Sequence, residues 1–196
     1  GIRKFDSNGN LITEWGSGGS ENSQFFSPKG IALDSAGNVY VADAGNYRIQ
    51  KFNSKGTYLS QWGSYGEGYG RFDGLRGIVI SKTDRVYIAN FTTMEEFDVN
   101  GNFVNSWRIQ INISAGGQFD ELQGFGIDAE GNVYVGDMDN HVLKYDSKGN
   151  FMMKLGSQGT EPGQFSNPAG IAVDSLGNLY VVDSGNNRVQ KFAPVP

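Results

Sequence analysis

Apolar and polar residues alternate along the chain in short runs, and glycine-bearing turns cut one run from the next. Period-2 segments bounded by Gly, Asn and Asp read as half-buried β-strands joined by hairpins. Four such segments follow one another at about 30–34, 38–43, 48–52 and 58–62, and we call these positions a, b, c and d. The set recurs. The stretch from Phe25 to Asp43 returns with the same spacing from Phe165 to Asp183, with intermediate copies from Phe72 to Asn90 and from Phe119 to Asp137. The b-position tyrosines Tyr40, Tyr87, Tyr134 and Tyr180 lie 47, 47 and 46 residues apart. A fixed period of this size indicates repeated units that bury their faces against one another.

The turns repeat as well. The a–b and c–d connections read Asp, two variable residues, Gly, then Asn, at Asp6–Asn10, Asp34–Asn38, Asp98–Asn102, Asp128–Asn132, Asp146–Asn150 and Asp174–Asn178. Asn53 opens a close variant, and the turn from Ser81 to Arg85 departs from the pattern. Asp can accept from the following turn amides while Gly takes a positive-φ position, so these are predicted to be tight antiparallel hairpins. Four antiparallel strands per unit, repeated about an axis, predict an all-β propeller.

The a strand Gly170-Ile171-Ala172-Val173-Asp174, the b strand Gly37-Asn38-Val39-Tyr40-Val41-Ala42-Asp43 and the c segments Gly45–Phe52 and Gly185–Phe192 resemble NHL repeats. The resemblance spans the whole chain as c–d strands at 1–15 and repeats at about 25–62, 72–107, 119–155 and 165–193. It implies a β-propeller of four-stranded antiparallel blades. The second copy departs most, with Asn90-Phe91-Thr92-Thr93-Met94 in place of the Asp and Gly-Asn-Arg positions. Such propellers are commonly six-bladed, so four repeats imply either part of a larger ring or a compact ring in which residues 11–15 close the last blade. A partner chain or missing sequence that completes the ring is a further expectation.

Composition narrows the chemistry. The 196 residues include 29 Gly, with 13% aromatics, no Cys and one His, and carry a net charge of −5. Thiolate chemistry and disulfides are excluded, and His141 alone cannot build a multi-histidine metal cluster. The acidic balance has the wrong sign for a phosphate backbone, so no nucleic-acid partner is expected. There is no apolar run of about 18 residues.

Spacing separates the two ends of the blades. The interval from the loop Phe to the b Tyr is 15 in every copy, and from the c aromatic to the end of d it is 10. Length varies only in the b–c connection (12, 10, 11 and 12) and the d–a connection (10, 10, 12 and 10). Both emerge at the same end of an up-and-down blade, which makes that end the expected ligand face.

Candidate ligand-binding residues are Tyr65 and Tyr69 in the Gly63–Gly70 stretch, Lys29 and Arg76 before the a strands, and His141 at a variable corner. The alternating segment 108–114 is a candidate added edge. Asp43, Asp137, Asp139 and Asp183 are candidate metal ligands for Ca²⁺ or another divalent cation, although the recurrence of strand-end acids in nearly every repeat favours local turn hydrogen bonds. Arg48 and Arg188 fit structural pairs with these acids. The expected function is a non-catalytic binding or scaffolding module for a protein or glycan, within a larger surface or secreted protein. The alternative is a metal-dependent lactonase- or lyase-like propeller using channel carboxylates, both classes being implied by the resemblance.

Overall fold

Alternating β-branched and aromatic residues give each segment two apolar faces, and in the structure, a computed structural model, each becomes a strand of an antiparallel sheet. Residues 1–109, 124–137 and 139–194 are described; the anchor Phe119 and positions 110–114 of the candidate edge lie outside them. The chain opens with the pair β1 (Ile2–Phe5) and β2 (Leu11–Trp15). The short strands β3 (Ser17–Gly18) and β4 (Gln24–Phe25) then pair in parallel. Blade 1 is β5 (Pro28–Leu33), β6 (Val39–Asp43), β7 (Arg48–Phe52) and β8 (Tyr58–Trp62). The parallel pair β9 (Ser64–Tyr65) and β10 (Arg71–Phe72) leads to blade 2, made of β11 (Leu75–Ile80), β12 (Val86–Asn90), β13 (Thr93–Phe97) and β14 (Phe103–Arg108). Blade 3 is β15 (Gly124–Ile127), β16 (Val133–Gly136), β17 (Val142–Tyr145) and β18 (Phe151–Leu155). Blade 4 has β19 (Pro168–Val173), β20 (Leu179–Asp183) and β21 (Arg188–Phe192).

The sheets are the blades of a β-propeller. Consecutive blades meet along their first strands, with β5 beside β11, β11 beside β15 and β15 beside β19. The core lies between blades. Tyr40, Ala42 and Ile49 of blade 1 pack on Leu75, Ile78, Val86 and Ile88 of blade 2, and the same kind of seam joins blades 2 and 3 and blades 3 and 4. The half-blade β1–β2 covers Val39, Val41 and Phe52 of blade 1 through Ile2 and Trp15. Residues 11–15 therefore pair with β1 and do not close blade 4, which corrects the compact-ring alternative.

The turns form as their sequence dictates. In the Asp34 turn the Asp34 amide donates to Asn38 O, Gly37 N donates to Asp34 O, and the carboxylate accepts from Asn38 N and Nδ2 and from the Tyr40 hydroxyl. Burial works to raise the Asp34 carboxyl, but these donors prevail and hold it below its usual value. In the departing turn, Ser81 Oγ accepts from Arg85 N, and Asp84 takes the positive-φ place of Gly at 59°. Asp84 then reaches across to blade 1 and accepts from Ser35 N at 2.8 Å and Ser35 Oγ at 2.6 Å.

Candidate functional site

The strand-end acids sit where the second strand of a blade opens into the third. In blade 1, β6 ends on the fully buried Asp43, a 3-10 turn spans Ala44–Asn46, Tyr47 adopts a left-handed φ of 55°, and β7 begins at Arg48. One Asp43 oxygen accepts from Phe26 N at 2.7 Å; the other accepts from Asn46 Nδ2, Arg48 Nε and Gln50 Nε2 at 2.8, 2.9 and 3.1 Å. The rest of the Arg48 guanidinium donates to the carbonyls of Glu21 and Gln24 and to Gln61 Oε1, locking the preceding loop onto the blade. Gln50 Oε1 adds an acceptor for Ser23 N. The carboxylate is thus surrounded by the protein's own donors.

Blade 4 repeats the arrangement. Asp183 accepts from Ser166 N, Asn186 Nδ2, Arg188 Nε and Gln190 Nε2. Burial again acts to raise its carboxyl, and the four donors outweigh it, leaving it below the ordinary range. Asp43 and Asp183 therefore stand in separate blades, each held by its own donor set.

Blade 2 exchanges the roles. Asn90 replaces the acid and Glu95 replaces the glutamine, so the carboxylate has moved two strand positions along the neighbour. Asn90 Oδ1 accepts from Gly74 N, its amide donates to Arg71 O and Glu95 Oε1, and Glu95 Oε2 accepts from Gly70 N. Thr93 stands where Arg48 does, so the guanidinium is lost. Burial raises the Glu95 carboxyl above its usual value, opposed by the Gly70 amide and Asn90.

Blade 3 differs again. Gly136 pairs with Val142 as Ala42 pairs with Ile49, which places His141 at the Arg48 position and Leu143 at the Gln50 position. Asn140, with φ 66°, matches Tyr47, so Asp139 takes the place of Asn46. Asp137 accepts from His141 N at 2.8 Å and lies 3.2 Å from His141 Nδ1. Burial raises its carboxyl, with His141 opposing and Asp139 adding to the rise. Ligand atoms of Asp137, Asp139 and His141 all fall within 4.8 Å of one another. Asn140 Oδ1 accepts from Asn167 N and ties this corner to blade 4.

The remaining sequence candidates are dispersed. Tyr65 and Tyr69 are 68% and 70% exposed. Tyr65 rests edge-on against Tyr47 with ring centroids 4.9 Å apart, whereas Tyr69 stacks on Phe103 at 4.2 Å. Lys29 is exposed on β5, and the Arg76 guanidinium lies over the Phe91 ring at 5.7 Å. Sequence reading missed a cleft of about 390 Å³ between blades 3 and 4 at the hairpin end, lined by Asp128, Glu130, Tyr134, Lys144, Leu176 and Pro194. Where Ser35 and Asp84 bridge the first seam, this cleft has the repeat-equivalent Ala129 and Gly177, a pair with no polar side chain.

Comparison with known proteins agrees with this architecture. Residues 25–52 and 165–192 each match the NHL repeat. No curated protein matches the chain by sequence. Among solved structures, a streptogramin B lyase is 14% identical over 86% of this chain and 55% of its own, with a TM-score of 0.60. Virginiamycin B lyase from Staphylococcus aureus is 15% identical over 86% of this chain and 56% of its own, with a TM-score of 0.57. A Bacteroides thetaiotaomicron protein of unknown function is 17% identical over 95% of this chain and 51% of its own, at 0.66. The chain thus spans little more than half the length of these structures, and at such identities the likeness is one of fold. Two of the four in-phase copies thus match the NHL repeat, and the blades have the topology that repeat implies, so the chain is a β-propeller that carries NHL repeats.

Proposed function

We propose that this chain is a non-catalytic binding or scaffolding module that presents its b–c and d–a loops to a protein or glycan, as part of a larger surface or secreted protein. The observation that carries the reading is the pair of exposed tyrosines on the Gly63–Gly70 connection, Tyr65 set edge-on against Tyr47 and Tyr69 stacked on Phe103. Exposed aromatics pre-set by a rigid neighbour offer contact area at little ordering cost. The hairpins, with their constant spacing, are the scaffold that holds these connections.

The ring is completed by further blades of the same pattern. Support comes from the ends of the arc, which display the two halves of an ordinary blade seam. Val182 and Val189 of blade 4 are exposed where Ala42 and Ile49 of blade 1 are buried, and Ile31 and Leu33 are exposed on the opposite side of blade 1. A second copy of this chain fits poorly, because joining β19–β21 to another copy's β1–β2 leaves one third-position strand in excess.

The enzyme reading, a lactonase- or lyase-like propeller, draws on the Asp137, Asp139 and His141 cluster and on the lyase fold likeness. Against it, the carboxylates of Asp43 and Asp183 are already committed to protein donors. The binding reading is tested by probing arrays of immobilised glycans and peptides with the chain and with Tyr65→Ala and Tyr69→Ala variants. Retention on the ligands found is expected to fall about tenfold or more in the variants, with thermal midpoints unchanged. A lowered midpoint with retention intact would make both rings packing residues.

A further inference from the structure

The b–c corner of blade 3 keeps the acid of the other corners and reverses everything around it. In blades 1 and 4 the strand-end Asp is enclosed by an asparagine amide, a guanidinium and a glutamine amide, all donors. At the same three backbone positions blade 3 carries Asp139, His141 and Leu143. An amide donor has become a carboxylate, a fixed cation has become an imidazole, and the second amide has become apolar. Asp137 nonetheless stays 97% buried, with a relative exposure of 3%. Among the described residues its hydrogen-bond donors are His141 N and the imidazole alone. A buried carboxylate without a fixed cation is costly unless a positive charge is supplied.

We propose that the Asp137, Asp139 and His141 corner binds a divalent first-row transition ion of the Zn²⁺ type, which supplies the charge that Arg48 and Arg188 supply in their blades. The three ligand atoms lie within 4.8 Å of one another, so small side-chain rotations bring them onto one ion. Two carboxylate oxygens with one imidazole nitrogen suit Zn²⁺ or Mn²⁺, and the imidazole disfavours Ca²⁺ and Mg²⁺, which take oxygen ligands. The backbone holds the set in place. Asn140 in the left-handed conformation sets the turn between Asp139 and His141, and its bond from Asn167 N anchors the corner to blade 4. The site stands on the variable loop face, where the ion's open coordination positions are available to water or to a donor group of a partner.

The test uses the untagged chain after chelator treatment, titrated with Zn²⁺ by calorimetry and with Co²⁺ by absorption. One equivalent is expected to bind, and Asp139→Asn is expected to weaken binding by about tenfold or more. The Asp139 side chain takes part in no hydrogen bond among the described residues, so this variant leaves the fold intact. His141→Arg restores the guanidinium that Arg48 supplies in blade 1. It is expected to abolish Zn²⁺ binding while raising the metal-free thermal midpoint, an outcome that mere loss of structure cannot imitate. Absence of binding at about 1 mM Zn²⁺, a Kd range of little biological use, would overturn the proposal. So would equal affinity in both variants, or binding of Ca²⁺ that persists unchanged in His141→Gln.

Discussion

Glu95 is the residue whose chemistry departs furthest from its repeat. It occupies the place of Gln50 and Gln190, is buried, and faces Asn90 and the Gly70 amide with no guanidinium beside it. Its carboxyl lies above the ordinary value of 4.5 because burial disfavours the charged form more than the two donors favour it. A folded-state value above the unfolded one means that the folded chain holds the proton more tightly. That contribution to stability is fully present below 4.5 and is lost as pH rises through the folded-state value. Glu95→Gln restores the blade 1 residue, keeps an acceptor for Gly70 N and removes the buried charge. The variant is expected to melt a few degrees higher than the parent at neutral pH, with the gap closing as pH falls towards 4.5. A thermal melt series across pH checks both the sign and the closing. The exchange of acid and amide between positions 90 and 95 was visible in the sequence as a departure, but its meaning was not, because the partner Gly70 lies 25 residues earlier. The same holds for His141. One residue fewer in the turn hides its equivalence to Arg48, and only strand register recovers it.

At the level of elements, the hairpins were legible and their second task was not. The Asp-x-x-Gly-Asn pattern is local, so its Asp acceptors and positive-φ glycines follow from sequence alone. In the c–d turns of blades 1, 2 and 3 the glycine also forms the floor for the tryptophan that ends the preceding blade or half-blade. A Cβ on Gly56 would meet Trp15 at 2.7 Å, one on Gly101 would meet Trp62 at 2.7 Å, and one on Gly149 would meet Trp107 at 2.2 Å. Gly9 lies in the equivalent turn of β1–β2, at φ +83°, with nothing within 4 Å of a built Cβ. The two kinds of position separate backbone strain from packing. Gly9→Ala is expected to cost about 1 kcal/mol, the left-handed penalty alone. Gly101→Ala carries that penalty and an overpacking term of about 1–3 kcal/mol besides. Urea unfolding of the two variants measures the difference, and equal losses would show that Trp62 yields without cost. The pairing escaped the sequence because the tryptophan precedes its glycine by 39 to 42 residues, a distance at which periodicity gives phase but no contact.

For the whole molecule, the number and phase of blades follow from the 47-residue step, whereas closure depends on which faces remain uncovered. Each blade has two apolar faces, so a series of blades must end in one exposed face on either side unless it returns on itself. The structure shows those two faces. Ile49 of blade 1 is fully buried under blade 2, while Val189, its counterpart in blade 4, is 62% exposed. Truncation reads out the cover directly. In this 196-residue chain Ile49→Ala is expected to cost about 2–4 kcal/mol, the transfer and cavity terms of a buried aliphatic side chain. Val189→Ala is expected to cost less than about 0.5 kcal/mol, as at any exposed position. Denaturant midpoints of the two variants, compared at unchanged m-value, make the measurement. A Val189→Ala loss comparable to that of Ile49→Ala would mean that blade 4 is covered in solution, by the half-blade β1–β2 or by another molecule. The second case is distinguished by a midpoint that rises with protein concentration, since association stabilises by mass action and an intramolecular contact does not.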